Sequence, residues 1–201
     1  MNLEEAVAAR RSVREFEDRK VPRAPVERAI ELAVQAPAPH HSAPWRFVLL
    51  EASDAKARLS TAMGDEWRRD LLGDGVSPAK TEAIVTRSHR TLTATPMLVV
   101  CAADMSRSHD YPDERRKRAE WSLYAHSVGA ALQTFMVALA EEGIASCWIS
   151  APVFCGAVVR SELNLDEGVE PHALVLVGYA SPRYRPRPRP PLTAGQFIRY
   201  P

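Results

Sequence analysis

Twenty consecutive residues, Trp121 to Ala140 (W-S-L-Y-A-H-S-V-G-A-A-L-Q-T-F-M-V-A-L-A), carry no formal charge and no proline. Large apolar side chains recur at Trp121, Tyr124, Val128, Leu132, Phe135 and Leu139, the spacing of one helical face. A second face, Ser122, His126, Gly129, Gln133, Met136 and Ala140, is small or mildly polar. With no charged face, such a helix is expected to be covered on all sides. At about 1.5 Å per residue it runs roughly 30 Å. A globule of this length has a radius of gyration of roughly 16–17 Å, so the other elements must be arranged around this helix. Three arrangements provide the cover: a membrane span, the central helix of a monomer, or a helix buried partly by a second subunit. Ser122, His126, Ser127, Gln133 and Thr134 interrupt a span of barely sufficient length, which disfavours the membrane. The small-residue face admits close approach of another helix, which favours a dimer interface.

The 201 residues fit one domain, 1–201, with no internal repeat and no dividing linker. A hydrophobic content of 46% and a charged content of 25% are those of a soluble globular protein. The start, Met1-Asn2-Leu3-Glu4-Glu5, does not read as a secretory leader. Three cysteines, Cys101, Cys147 and Cys155, are odd in number and form no C-x-x-C pair, which points to a reducing cytoplasm and away from a disulfide framework or zinc. The net charge of +1 conceals two basic ends, Arg10 to Arg23 and Arg183 to Arg189. Basic ends on a near-neutral chain suggest a small anionic ligand. Only Tyr184 interleaves the C-terminal arginines, so nucleic acid is not an expected partner.

Periodicity predicts a short helix over Leu3 to Arg10 with Leu3, Ala6 and Val7 inward, and a second from about Ala24 to Ala36 with Pro25 in its first turn. Ala36-Pro37-Ala38-Pro39-His40-His41-Ser42-Ala43-Pro44 can be neither helix nor interior strand and reads as an ordered loop. Trp45 to Leu50 is a strand by its aromatic and β-branched content. Ser53 to Met63 is a helix with Ser53 as its expected N-cap, continuing through a charged amphipathic segment to Gly73-Asp74-Gly75. Pro78 to Leu92 is another helix. Pro96 to Ala102 is a continuous apolar run, as for a strand covered on both faces. His109 to Asp113 is a turn before the central helix, which Gly143 stops. Ala145 to Ser150 and His172 to Tyr179 are strands, Cys155 to Leu163 is a short helix, and Gln196 to Tyr200 is an expected edge strand. Strands alternating with helices indicate an α/β or α+β layer fold. Neither G-x-G-x-x-G after a strand nor G-x-x-x-x-G-K-[ST] occurs, so no Rossmann or P-loop site is supported.

Arg10-Arg11-Ser12-Val13-Arg14 places guanidinium forks and a hydroxyl within one turn, a set suited to a phosphate and a carbonyl-rich ring. Alone, it reads as a solvated basic stretch before it reads as a site. Arg187 and Arg189, two apart on an extended chain, project to one side and can close on the same anion from the other end of the sequence. His40-His41 lacks a third ligand at metal spacing, and no metal site is expected. His126 reads as a core or interface residue, and no serine sits in a nucleophile-elbow context. Trp67, Arg68 and Asp70 belong to a charged segment with one aromatic, equally a substrate lid or a solvated helix face.

Taken together, these segments resemble the flavin-dependent nitroreductase family. R-R-S-V-R at Arg10 to Arg14 is similar to its N-terminal FMN signature. A-P-A-P-H-H-S-A-P-W at Ala36 to Trp45 is similar to the loop preceding its first strand, and C-W-I-S at Cys147 to Ser150 and R-P-R-P-P-L at Arg187 to Leu192 are similar to its later flavin-contacting segments. The A-P-A-P-H-H loop, D-E-W-R-R-D-L and H-D-Y-P-D resemble one branch, the C-terminal FMN reductase domain of bifunctional coenzyme F420 biosynthesis proteins. The fused protein's ligase domain is not in this sequence. The resemblance implies an α+β fold, with a central mixed or antiparallel sheet flanked by helices and a long buried central helix. It also implies a homodimer with FMN at the subunit interface. The implied reaction is reduction of the enolpyruvyl double bond of dehydro-F420-0. The alternatives are an NAD(P)H-dependent nitroreductase or quinone reductase, and a flavin or deazaflavin binder without turnover. By position, Arg10, Arg11, Ser12, Val13, Arg14, Arg187 and Arg189 would contact FMN. Ala38, approaching from the partner subunit, would lie against the flavin, Pro39 and His40 would also contact the cofactor, and Ser150 would stand by the ring. Asp70, Trp67 and Arg68 would meet a deazaflavin substrate. FMN would carry the chemistry, so no catalytic side chain is expected.

Overall fold

The computed structural model describes residues 1–201. Helix α1 (Leu3–Ala9) starts at Asn2, whose side chain accepts from the Glu5 N–H while the Glu5 carboxylate accepts from the Asn2 N–H. Helix α2 (Arg23–Ala33), a 3-10 turn at Pro39–His41 and strand β1 (Trp45–Leu50) follow. Two long helices, α3 (Ser53–Gly73) and α4 (Pro78–Ala94), fill the interval to β2 (Met97–Asp104). Then come the central helix α5 (Glu114–Glu141), β3 (Ala145–Ile149), α6 (Gly156–Leu163) and β4 (Val169–Gly178).

The strands form one sheet in the order β1-β2-β4-β3, antiparallel at every pairing. Side-chain alternation along the two central strands sorts the core into two layers. Met97, Val99, Cys101 and Ala103 of β2, with Ala173, Val175 and Val177 of β4, pack against α5 and α2. Leu98, Val100, Leu174 and Leu176 pack on the other face, against Leu59 and Met63 of α3, Leu92 of α4 and Val159 of α6. Strand β2 is therefore covered on both faces, as the unbroken Pro96–Ala102 run predicts, and β4 is apolar in its core apart from the buried His172. Each buried Val, Leu or Met among them contributes about 1.5–3 kcal/mol. Strand β4 begins before His172 and takes in Pro171. The proline sits at a register shift between Cys101 and Ala102, where its missing N–H does least harm.

Helix α5 is longer than its uncharged run. Two further charged turns, starting at Glu114, are set by Asp113, whose side chain accepts the Arg116 N–H at 3.0 Å. At its other end Gly143 adopts φ +71°, and the Ile144 N–H returns to the Leu139 carbonyl at 2.8 Å. Helix α5 is long and apolar enough to cross a membrane by length and composition, yet Tyr124, Val128, Leu132, Phe135 and Leu139 are buried in the core beside the sheet. The expectation of cover on all sides is not met within one chain. Helices α1 and α2 and the sheet reach only part of its circumference. Trp121, Leu123, His126, Gln133 and Thr134 remain exposed, with Ser122, Gly129 and Ala130 half-buried between them.

Four smaller expectations are corrected. Ser53 is the first helical residue and not the N-cap, which is Ala52 without a side-chain bond. Of Leu3, Ala6 and Val7 only Ala6 is buried, because α1 touches α5 along a single narrow line. Helix α2 stops at Ala33, short of Ala36, where the chain begins its turn into the proline-rich loop. Residues 196–200 form no strand. The free edge of β3 beside Ser146 is taken by Ser12, and the tail is left exposed after a 3-10 turn at Ala194–Gln196.

Candidate functional site: an arginine cleft and a cavity on either side of one strand

After α1 the chain runs beside β3. The Val13 N–H donates to the Ser146 carbonyl at 3.0 Å, and Ser12 stands opposite Ser146 in a parallel bridge. The Val13 side chain turns into the core, so this residue anchors the segment through its backbone. Phe16 then crosses Gly178, where an added Cβ would lie 2.7 Å from the Phe16 ring, so this crossing requires glycine. These contacts hold Arg10, Arg11, Ser12 and Arg14 at the outer edge of the sheet.

The chain leaving β4 returns to the same edge. The Arg11 guanidinium donates to the Arg187 carbonyl, and that of Arg189 donates to the carbonyls of Arg10 and Val7. The two ends of the sequence thereby enclose a cleft of about 570 Å³. It gathers Arg10, Arg11, Ser12, Arg14, Arg187 and Arg189, all expected, together with Arg183 and Arg185, which sequence reasoning saw only as net charge. The one carboxylate in its wall is Glu15. The arginines that form ion pairs are others: Arg23, Arg28, Arg46, Arg58, Arg68, Arg69 and Arg116. The cleft's guanidiniums thus have no carboxylate partner; Arg11, Arg185 and Arg189 donate to backbone carbonyls, which leaves Arg10, Arg14, Arg183 and Arg187 to hold an anion bidentately. Their field reaches β3: burial pushes the Cys147 thiol up, and Arg14 and Arg10 oppose it.

The proline-framed loop is built differently. His40, His41 and Ala43 all have positive φ (54°, 50° and 46°), which costs about 1–3 kcal/mol per residue. Glu120, on α5 and 4% exposed, holds the loop in that shape. Its carboxylate lies 3.1 Å from His40 Nε2 and accepts the His109 N–H at 2.9 Å. Burial pushes Glu120 up, but the bonds from His109 and His40 outweigh it and leave the carboxyl below its ordinary value. The ligand atoms of His40, His109 and Glu120 lie within 4.8 Å of one another. The two imidazoles, however, stack at 3.9 Å with planes 20° apart. Near-parallel rings cannot both aim an in-plane lone pair at one ion, so the trio reads as a carboxylate clamp. Ala38, Pro39 and His40 do not line the arginine cleft of their own chain.

On the other face of the sheet lies a largely apolar cavity of about 490 Å³ between α3, α4 and the end of β3. Trp67 and Asp70 line it, as expected of substrate residues, and Arg68 does not. Arg68 turns away to Glu82 at 2.5 Å and to Asp65. Ser150 is exposed at the end of β3, between Ile149 and Ala151, both of which are in the cavity wall. From Ser146, opposite Ser12, to Ser150 is four residues, about 13 Å at about 3.3 Å per residue. Cys155 also lines the cavity. Burial first, then Glu66 and Asp70, push its thiol to about 11, so it stays protonated and unreactive at neutral pH. His126 is exposed on the uncovered side of α5 and is not a core residue. Ser60, a cavity-wall residue, and the Glu120–His109 link carried no sequence signal.

Residues 7–179 match the model of the Nitroreductase family. The chain is 23% identical over 192 residues to YfhC of Bacillus subtilis (strain 168), whose name proposes an NAD(P)H nitroreductase; the match covers 94% of this chain and 90% of that protein. It is 27% identical over 184 residues to the iodotyrosine deiodinase of Haliscomenobacter hydrossis, covering 85% of this chain and 75% of the relative. Among solved structures, a BluB-like flavoprotein from Clostridium difficile 630 superposes with a TM-score of 0.78 at 21% identity, over 100% of this chain and 99% of that one. The FMN and NADPH-dependent nitroreductase NfnB from sphigopyxis sp. strain HMH superposes with a TM-score of 0.73 at 23% identity, over the same shares. The antiparallel sheet, the long central helix and a family match over most of the sequence agree: this chain belongs to the nitroreductase family.

Proposed function

We propose that the chain is an FMN-dependent oxidoreductase that acts as a homodimer. One observation carries the cofactor: seven arginines and Ser12 share a cleft with a single carboxylate, an imbalance that a phosphate monoester would satisfy. NfnB, and an iodotyrosine deiodinase solved with FMN and 3-iodo-L-tyrosine, are relatives of the same fold that bind FMN. Bound flavin would supply the hydride chemistry, which accounts for the lack of a nucleophile and base pair. The arginines from both chain ends would hold the phosphate, and Arg14 would neutralise charge at the ring. Ser150, about 13 Å farther along β3, would meet the far end of a ligand laid on that edge. The uncovered side of α5 supports the dimer. It would also let Ala38, Pro39 and His40, rigid on their Glu120 clamp, reach the partner's flavin. Three buried free thiols suit a reducing cytoplasm.

Two substrate readings share this site. The sequence resemblance supports reduction of the enolpyruvyl bond of dehydro-F420-0, and Trp67 and Asp70 in the cavity wall agree with it. The second, NAD(P)H-dependent reduction of nitroaromatics or quinones, is favoured by a specific observation: no cation lines the cavity, and Arg68 is engaged elsewhere. The wall geometry sides with the second. Protein loaded with FMN and chemically reduced, offered dehydro-F420-0, and FMN-loaded protein offered, separately, a nitroaromatic with NADPH decide between them. Turnover of the nitroaromatic alone rejects the deazaflavin reading, turnover of dehydro-F420-0 alone rejects the other, and tight flavin binding with neither turnover favours a non-catalytic binder.

A further inference from the structure

The cavity between α3 and α4 has a feature that packing alone does not explain. Ser60 lines it, is 4% exposed, and its Oγ has no hydrogen-bond partner. A helical serine ordinarily donates back to the carbonyl one turn earlier, as Ser127 does to Leu123 at 2.9 Å. Leaving a buried hydroxyl unpaired costs about 1–3 kcal/mol, so this one is a vacant donor and acceptor at the inner end of an apolar chamber. The walls around it include Met63, Val85, Leu92 and Leu174, and the one other hydroxyl in the lining is that of the half-buried Ser88.

The mouth is charged, with one sign only. Glu66, Asp70 and Asp74 line the cavity, and no lysine, arginine or histidine does. Glu66 is paired with Arg69, but Asp70 and Asp74 take part in no ion pair. Trp67 lies on the same helix between the acidic mouth and the apolar interior. From Ser60 to Asp70 is ten residues of helix, about 15 Å at about 1.5 Å per residue.

We propose that this cavity binds an elongated aromatic molecule with a hydroxyl or carbonyl at its inner end, on Ser60, and a cationic group at its outer end, on Asp70 and Asp74. An aromatic body fills the apolar walls and stacks against Trp67. The cation is drawn to two unpaired carboxylates and gains a face of the indole ring. A ligand anionic at the outer end loses its hydration and meets two like charges. The binding claim stands on the cavity alone. That the ligand is the substrate rests on the flavin position proposed beside Ser150, whose neighbours Ile149 and Ala151 form the wall.

Three matched probes test it by calorimetry on the full chain, with and without FMN: 4′-(aminomethyl)biphenyl-4-ol, 4′-hydroxybiphenyl-4-carboxamide and 4′-hydroxybiphenyl-4-carboxylate. The amine is expected to bind about fivefold tighter than the amide, as for a solvent-exposed ion pair, and the carboxylate more weakly still. The order should flatten as salt is raised, since the mouth is exposed. Asp70→Asn should shrink the preference for the amine and Asp70→Glu restore it, while Ser60→Ala should weaken all three probes by a similar factor. Carboxylate binding as tight as the amine, or no binding of any probe to the wild-type chain, overturns the proposal without the use of a variant. A separate FMN titration keeps the two ideas apart. Loss of flavin binding with the probe order intact rejects the cofactor reading only, and the converse rejects the cavity reading only.

Discussion

At the scale of single residues, the site rests on charges placed where nothing within the chain neutralises them. Arg14 is the sharpest case. It lines the cleft, forms no ion pair, and helps counter the burial that raises the Cys147 thiol. A charge-assisted hydrogen bond contributes about 1.5–3 kcal/mol, so Arg14→Ala should weaken FMN binding about 10–150-fold at about 1.4 kcal/mol per decade. Fluorescence titration of FMN measures it, and an unchanged dissociation constant would place Arg14 outside the site. Glu120 presents the opposite situation, a buried carboxylate with its partners in place. Its carboxyl is lower in the folded chain than in the unfolded one. Its contribution is therefore fully present above the unfolded value of about 4.3 and is lost as pH falls through the lower folded value. Glu120→Gln should destabilise the chain by about 1–3 kcal/mol at pH 7, with the deficit shrinking as the wild type protonates below about pH 4. Urea midpoints at pH 7 and pH 4 check the sign. A deficit that grows on acidification would mean that Glu120 is not the residue holding His40 and the His109 N–H.

At the scale of elements, α5 decides how the molecule is completed. Its sheet side is closed by Tyr124, Leu132 and Phe135, each fully buried, while Gln133 on the other side is exposed. A charge placed at Gln133 costs the single chain nothing it has built. Gln133→Arg should therefore leave the thermal transition of the isolated chain within a degree or two at about ±0.5 kcal/mol, yet split a dimer that buries this face. Sedimentation velocity reads the outcome, and an unchanged dimer would show that subunits meet elsewhere. The elements most legible in the sequence were those whose pattern is local. Trp45–Leu50 is bounded by Pro44 and by the turn into α3, and the Pro96–Ala102 run reads as a strand covered on both faces, which β2 is. The extra turns of α5 were harder to see, because E-R-R-K-R-A-E has no apolar period and its helix depends on the Asp113 cap. The expected tail strand failed for a non-local reason: Ser12 already stands at the edge beside Ser146.

At the scale of the whole molecule, the cleft is a product of topology. Arg10 and Arg189 lie at opposite ends of the sequence, and no spacing rule joins them. They meet because β4 ends beside the segment that follows α1, with the Ser181 N–H donating to the Glu15 carbonyl at 3.0 Å. The individual arginines could be read from the sequence, but their convergence could not, nor could the opening of a cavity around Ser60 by the packing of α3 on α4. The same topology sets two unlike chambers on one strand, a cationic one by Ser146 and an acid-mouthed apolar one beside Ser150. A flavin mononucleotide bridging them is the central claim, and it makes the phosphate the dominant handle. The direct measurement is a paired titration of the purified chain with FMN and with riboflavin, which differ only in that group. FMN should bind at one per chain with a dissociation constant at least about 100-fold below that of riboflavin, as two charge-assisted contacts to phosphate imply. Equal binding of the two flavins, or binding of neither, would contradict it.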